Sequence, residues 1–287
     1  MNSYYDITNP DISFDWLHEV LHMKQGGLID EYCLECHNDF DRFYEKFLPE
    51  INEIDIESLE IVAFQVTSND NGCADIKKHG LRNLQWVLSN ETSLSRFLKQ
   101  QRISFDIEKK LMHILGKEYD VDYEKYKDLD CITRRNGCLH KIGHKLFYDF
   151  QINAFLFCKD IYDYATVHEA PEFLLTLSSL NDQTREIDTV WKKMSTPYVI
   201  KFKANLKDFA YFTFYDREEE YYTDQQNHWY KLRRKLVSRA VESAFSESAS
   251  EIFAYMKPTT FISPDNILAY IPAEEWRKDV LKYFREE

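Results

Sequence analysis

Glycine and proline are scarce in this chain of 287 residues, with seven of each. A fold of many short strands joined by tight turns needs both residue types in number, so a many-turned sandwich or barrel is disfavoured. No apolar run approaches the roughly 20 residues of a membrane-spanning helix. The opening residues, MNSYYDITNPDISFDW, have neither the basic nor the apolar region of a secretory signal. These absences predict a cytoplasmic protein without a membrane partner, whose six cysteines form no disulfide framework.

Basic residues are fewer than acidic ones. The chain has 36 Lys and Arg residues and 49 Asp and Glu residues, which gives a formal net charge of -13. Such a chain repels a polyanion at long range, which disfavours broad nonspecific binding to nucleic acid. The densest basic stretch, residues 231–239, has two interpretations: a solvated helix face, or a local contact for nucleic acid or an acidic partner.

Aromatic residues are abundant instead, with 19 Tyr, 20 Phe and 5 Trp. They indicate a thick core with aromatic-lined grooves. Strand-like segments at 58–67, 152–157, 198–203, 210–215, 251–255 and 266–271 are scattered among helices of unequal length, and 105–131 reads as an irregular excursion. This order favours an α+β fold. We expect a helical N-terminal region over 1–57 and a mixed domain over 58–287.

Cysteine and histidine occur at two spacings that suit a metal. Together, the two sets contain more than the four ligands of a tetrahedral zinc ion: Cys33, Cys36 and His37 in the first, Cys138, His140 and His144 in the second. A lone Cys-x-x-Cys is a weak signal, and the second set falls on an apparent helix. Zinc binding and buried structural thiols therefore both remain open.

The segment FQVTSNDNGCADIKKHGLRNL, residues 64–84, predicts a strand, a polar turn and a short helix that ends at Gly80. Gln65 and Thr67 point to one face of the strand, because side chains i and i+2 lie on the same side. Such a junction suits the mouth of a nucleotide site. A half-solvated strand face is the alternative.

Two later stretches carry further candidates. In FLFCKDIYDYATVHEAPEFL, residues 155–174, a strand leads into a loop with Tyr162 and Tyr164, which can stack on a flat heterocycle or pack beneath the loop. In SASEIF, residues 248–253, Glu251 opens an apolar strand. A carboxylate at the head of a buried strand is costly unless it is hydrogen-bonded or has a task.

Taken in order, these stretches resemble the ADP-ribosyltransferase fold, and within it the toxin-like bacterial mono-ADP-ribosyltransferases, including toxin–antitoxin enzymes that modify DNA. In that group a strand ends in His-x-Thr, a helix ends in Gly-Leu, an aromatic loop follows, and a Glu begins a late strand. Here the corresponding residues are Gln65-Val66-Thr67, Gly80-Leu81, Tyr162 or Tyr164, and Glu251. Gln65 departs from the pattern, since it stands where His is expected.

The resemblance implies a split antiparallel sheet and NAD as substrate. It implies that Gln65 and Thr67 hold a ribose, that Gly80 belongs to the NAD-binding wall, that a loop Tyr stacks on nicotinamide, and that Glu251 is catalytic. The implied product is an ADP-ribosylated nucleic acid or protein. The resemblance further implies that the protein is a toxin or a phage-defence effector, with an antitoxin as its partner. The alternative is the same fold kept as a nucleotide-binding or interaction module, with Gln65 marking lost catalysis.

Overall fold

The computed structural model describes residues 4–24, 26–128, 133–164, 166–245 and 251–282. Within these ranges the strands are β1 (Tyr4–Tyr5), β2 (Glu60–Asn69), β3 (Ile103–Asp106), β4 (Leu111–Ile114), β5 (Lys117–Asp120), β6 (Asn153–Cys158), β7 (Thr196–Asn205), β8 (Glu251–Tyr255) and β9 (Ile267–Pro272). The main sheet has the order β8-β6-β2-β7-β9, with β1 beside the start of β2, and β3, β4 and β5 form a second sheet.

Helices surround both sheets. The α-helices are α1 (Pro10–Val20), α2 (Gly27–Ile29), α3 (Phe40–Lys46), α4 (Leu48–Asn52), α5 (Ala74–His79), α6 (Leu84–Ser89), α7 (Ser93–Gln100), α8 (Arg134–Phe147), α9 (Glu172–Ser178), α10 (Ile187–Met194), α11 (Glu218–Gln226), α12 (Tyr230–Phe245) and α13 (Ala273–Leu281). A π-helical turn covers Asp30–Glu35, and 3-10 turns cover Tyr123–Lys125, Leu206–Asp208, Tyr211–Thr213 and Pro264–Asn266. The predicted α+β class is confirmed, and no described helix is long and apolar enough to cross a membrane.

The two long edges of β2 are paired very differently. On one edge all ten residues of β2 pair antiparallel with β7. On the other edge β1 covers Glu60 and Ile61, and β6 pairs at a single register position, Phe64 with Phe155. Beyond Phe64 the described strands β2 and β6 no longer pair, so a cleft opens between them.

Three hydrophobic clusters hold the elements together. The largest joins the N-terminal helices to α12 and one face of the main sheet, and it contains residues from both sides of position 57. A second lies between α6–α10 and the small sheet, and a third packs α13 against the opposite face of the main sheet. The polar pair Ser13 and Ser243, 2.8 Å apart and buried, lies between α1 and α12.

Two expectations from the sequence are wrong. The described part of the segment 105–131 is not irregular, because it contributes to the antiparallel sheet of β3, β4 and β5, whose four-residue strands are too short to show periodicity. The segment 210–215 is not a strand but a 3-10 turn at Tyr211–Thr213. The Thr213 hydroxyl donates to the Tyr255 carbonyl (3.1 Å) and accepts from the Tyr255 N–H (3.0 Å), so this turn covers the outer edge of β8.

Candidate functional site

The cleft between β2 and β6 contains two adjoining cavities, of about 300 Å³ and about 200 Å³. They share a wall, formed by the residues Gln65, Thr67, Ser68, Leu84, Gln151 and Pro171. Consecutive residues of β2 line the first cavity because the strand has no neighbour on that side. Concave sites of this size are the usual binding places for small ligands.

Gln65 and Thr67 lie in the shared wall, and no described residue hydrogen-bonds to either side chain. Their neighbour Ser68 differs, because its hydroxyl accepts a 2.7 Å hydrogen bond from the buried indole of Trp191. The polar groups of Gln65 and Thr67 are therefore available to a ligand, whereas the hydroxyl of Ser68 already binds the buried Trp191 indole.

Aromatic rings form one side of the first cavity. Tyr164 from the loop after β6 packs edge-on against Phe155 (centroids 5.1 Å apart) and against Phe253 (5.5 Å). Tyr255 lies next along the same face of β8. Burial raises the pKa of Tyr164 and of Tyr255, so both phenols stay protonated and neutral at physiological pH. Such a wall suits a flat, uncharged or cationic ring.

A polar network centred on Asp149 forms the other side. One of its carboxylate oxygens accepts hydrogen bonds from the amides of Asn153 (2.6 Å) and Gln151 (3.2 Å). Lys145 forms ion pairs with Asp149 and, at 2.6 Å, with Glu172. Burial lowers the pKa of Lys145, but the hydrogen bonds to these two carboxylates outweigh it and the net pKa is raised. The lysine therefore remains charged in the cleft.

The second cavity has a cation and an indole. Arg82 lies over the rings of Phe261 (3.9 Å) and Trp86 (5.0 Å), and its Nε donates to the carbonyl of His79 (2.9 Å). No described residue hydrogen-bonds to its terminal nitrogens, which leaves them to an anionic ligand group. Gly80 lines this cavity too, and it has a structural reason to be glycine: φ is +75°, and a Cβ would lie 1.8 Å from the Ile262 carbonyl oxygen.

The structure brings four of the six predicted site residues to the cleft. Gln65 and Thr67 line both cavities, Tyr164 the first and Gly80 the second. Tyr162 lines neither; its ring packs on His168, with centroids 4.2 Å apart, and beneath Arg277.

Glu251 lines neither cavity among the described residues. It alternates along β8 with Phe253 and Tyr255, both in the cavity wall, so it continues the same face about 7 Å beyond Phe253. It is close enough to Tyr164 for its charge to contribute to that phenol's raised pKa. Residues 248–250, which precede it, lie outside the described part of the chain.

The two cysteine–histidine sets lie in different clusters, with Cys36 in the first and Cys138 in the second. No group of three or more possible metal ligands is found among the described residues. Three arginines of the basic run on α12, Arg233, Arg234 and Arg239, bind other residues of the protein. Arg233 donates to the carbonyl of Ile54 (3.0 and 3.1 Å), and Arg234 pairs with Asp41.

Sequence reasoning missed the network of Asp149, Gln151 and Asn153. The signal in the sequence is the alternation of these three polar residues with Phe150 and Ile152, a pattern that predicts a strand, although β6 begins only at Asn153. Compared with protein-family models, with curated proteins and with solved structures, the chain matches none.

Proposed function

We propose that the chain binds NAD in the cleft between β2 and β6 and transfers its ADP-ribose to a macromolecular target. The observation that carries this proposal is the pair of adjoining cavities with Gln65 and Thr67 in their shared wall, both without a described hydrogen-bond partner. A dinucleotide has two halves joined by a pyrophosphate. The aromatic first cavity suits the cationic nicotinamide ring, and the second cavity, with Trp86 and Arg82, suits the adenosine and an adjacent phosphate.

The order of the strands supports the same proposal. β2 carries Gln65 and Thr67 on the stretch that no longer pairs with β6, and β8, which begins with Glu251, pairs with β6 on its far side. This agrees with the split antiparallel sheet that the resemblance to ADP-ribosyltransferases implies.

The proposed reaction breaks the bond between nicotinamide and ribose, and the bonding electrons leave with nicotinamide. The ribose carbon becomes oxocarbenium-like, as in glycoside hydrolysis. The target's nucleophile then bonds to this carbon and loses a proton. We assign Glu251 the role of accepting a hydrogen bond from the ribose 2′-hydroxyl and stabilising the positive charge, an effect worth on the order of 3 kcal/mol or more.

Release of nicotinamide from NAD by the purified protein tests the proposal. We expect wild type to release it and Glu251→Gln to do so at least about 100-fold more slowly. Glu60→Gln is the matched control, because Glu60 also opens an apolar strand but pairs with Lys203 (3.1 Å), away from both cavities. Equal rates in wild type and Glu251→Gln would contradict the catalytic role of Glu251.

A second candidate is a module that binds NAD or a related nucleotide without turnover. Two observations favour it: Glu251 lies outside the described cavity walls, and Gln65 stands where the enzymes that the sequence resembles have His. Saturable binding of NAD without nicotinamide release, in the presence of candidate nucleic-acid and protein targets, would establish this function instead.

A further inference from the structure

The two cavities of the cleft carry opposite net charge. The wall of the first has one cation and two carboxylates, those of Lys145, Asp149 and Glu172. The charged residues in the wall of the second are Arg82 and Asp75. Asp75 is already neutralised, because it pairs with Arg96 at 3.1 Å. The positive charge of Arg82 is therefore uncompensated, and an anionic group is favoured in the second cavity.

Three contacts hold the Arg82 side chain in place. Its guanidinium carbon lies 3.9 Å from the ring centre of Phe261 and 5.0 Å from that of Trp86, and its Nε donates to the carbonyl of His79 (2.9 Å). The neighbouring backbone is fixed as well, since both the N–H and the carbonyl of Leu81 are hydrogen-bonded at 3.0 Å. A planar cation held in this way loses little conformational freedom when it binds a ligand.

The two terminal nitrogens of Arg82 are accessible to a ligand. No described residue hydrogen-bonds to them or forms an ion pair with the guanidinium. The residue is half-buried, yet none of its atoms is among the side-chain atoms that are both buried and unpaired. The terminal N–H groups therefore reach the solvent that a ligand would displace. The N–H groups along the edge of a guanidinium match two oxygens of a phosphate.

Apolar side chains line much of the remaining wall of the second cavity, among them Leu84, Val87 and Leu94. A cavity of about 200 Å³ with an apolar wall and one fixed cation suits a nucleoside with phosphate attached. The first cavity offers a diphosphate no equivalent place. Its cation, Lys145, already pairs with both Asp149 and Glu172.

We propose that the second cavity binds a nucleoside diphosphate such as ADP on its own, with Arg82 on the diphosphate, so that ADP competes with NAD for the cleft. The competition rests on the proposed function. It adds to that function a ligand that needs no nicotinamide half and no contact in the first cavity. The consequence is regulatory, because the share of the protein that holds NAD falls as the concentration of ADP rises.

Calorimetric titration of ADP and of adenosine into the full wild-type chain, without divalent metal, tests the site itself. We expect ADP to bind at least about tenfold more tightly than adenosine, because only ADP offers phosphate oxygens to Arg82. Arg82→Met removes the charge and keeps an unbranched side chain, so it should reduce this ratio to about two or less. Arg82→Lys keeps the charge without the planar fork and should retain part of the preference, which keeps the site testable if Arg82→Met fails to fold.

Arg217→Met is the matched control. It makes the same chemical change in an arginine whose side chain is 71% exposed, pairs with Glu220 and lines neither cavity. Its ratio of ADP to adenosine affinity should equal that of wild type.

A second titration tests the competition, with NAD added to the full chain carrying Glu251→Gln, which is expected not to consume NAD. ADP at about ten times its own Kd should raise the apparent Kd for NAD about tenfold. Adding Tyr164→Ala, which changes the first cavity alone, should weaken NAD binding and leave the affinity for ADP within about twofold. Retained ADP binding also shows that this variant is folded.

Three outcomes are distinguishable. A preference for ADP over adenosine that is lost in Arg82→Met but kept in Arg217→Met, together with displacement of NAD, supports the diphosphate site. Equal affinity for ADP and adenosine, or NAD binding that ADP does not weaken, overturns the site and leaves the proposed function standing. Failure of the chain to bind both NAD and ADP overturns the proposed function and the diphosphate site together.

Discussion

Phe64 pairs with Phe155 across β2 and β6, and their rings stack with centroids 5.6 Å apart. This is the one register position at which the described residues of the two strands pair. The Phe64 ring also contacts Trp276 of α13, at 4.6 Å. The pair therefore closes the base of the cleft, and the cleft wall begins at the next residue, Gln65.

Phe64→Ala should destabilise the protein strongly. The side chain is completely buried, and removing a buried phenyl group costs about 3–5 kcal/mol through lost transfer energy and the cavity that remains. Urea denaturation measures the free energy of unfolding. Phe212→Ala is the control, because Phe212 is 45% exposed and should change that free energy by no more than about 0.5 kcal/mol. Similar losses in both variants would mean that Phe64 does not hold the two strands together.

Gly80→Ala should cost more stability than Gly72→Ala, although both glycines have positive φ angles, +75° and +63°. Gly72→Ala introduces only backbone strain, about 1 kcal/mol, because nothing lies within 4 Å of its new Cβ. Gly80→Ala adds a collision, since its Cβ would lie 1.8 Å from the Ile262 carbonyl oxygen. The native protein holds the two segments close together at this point, because Leu81 and Ile262 form two backbone hydrogen bonds of 3.0 Å each.

Thermal or urea unfolding of the two glycine variants, side by side, checks this prediction. We expect Gly80→Ala to lose at least about 3 kcal/mol. A loss no larger than that of Gly72→Ala would show that the loop around Ile262 yields to the extra methyl group.

Local patterns predicted the elements whose cause is local. The apolar run at 58–67 corresponds to β2, and the helix expected to stop at Gly80 does so, since the Gly80 N–H caps it by bonding to the Ile76 carbonyl (2.8 Å). The small sheet was missed because its strands are four residues long and are defined by turns, such as Leu115–Gly116 with positive φ at both residues.

The polar network centred on Asp149 was missed for a different reason. Asp149 meets Gln151 and Asn153 within five residues, but Glu172 joins them through Lys145 only after the chain folds. Tyr162 and Tyr164 could not be told apart in the sequence, because the direction of each ring depends on what α13 and β8 place beside it. Tertiary contacts decided both cases.

Gln65→Ala and Ser68→Ala should have opposite effects, although the residues lie three apart on one strand. Gln65→Ala should leave the free energy of unfolding within about 0.5 kcal/mol, because no described residue bonds to its side chain. If the cleft binds NAD as proposed, it should weaken that binding by about tenfold. Ser68→Ala should lose about 1–3 kcal/mol of stability, because the buried Trp191 N–H loses its acceptor.

Denaturation curves and NAD titrations of both variants separate the two effects. A stability loss in Gln65→Ala as large as that in Ser68→Ala would mean that Gln65 serves the fold. Unchanged NAD affinity in Gln65→Ala would remove it from the binding wall.

His168 should make the protein less stable as the solution becomes acidic. Burial lowers its pKa, and the nearby carboxylates of Glu169 and Asp160 offset this only in part. The unfolded chain, with a pKa near 6.5 for this group, therefore binds the proton more readily than the folded protein does. As the pH falls through about 6.5, the free energy of unfolding decreases, until the pH is below the folded pKa. Above about pH 7 both states hold a neutral imidazole and the effect is absent.

His168→Gln removes this titration. Urea denaturation at about pH 7.5 and about pH 5 should therefore show a smaller acid-induced loss of stability in His168→Gln than in wild type. His113→Gln is a control for the substitution itself, because it makes the same chemical change in a half-buried histidine of β4, outside the loop that contains His168. An acid-induced loss in His168→Gln equal to that of wild type would show that the proton taken up on unfolding belongs to other groups.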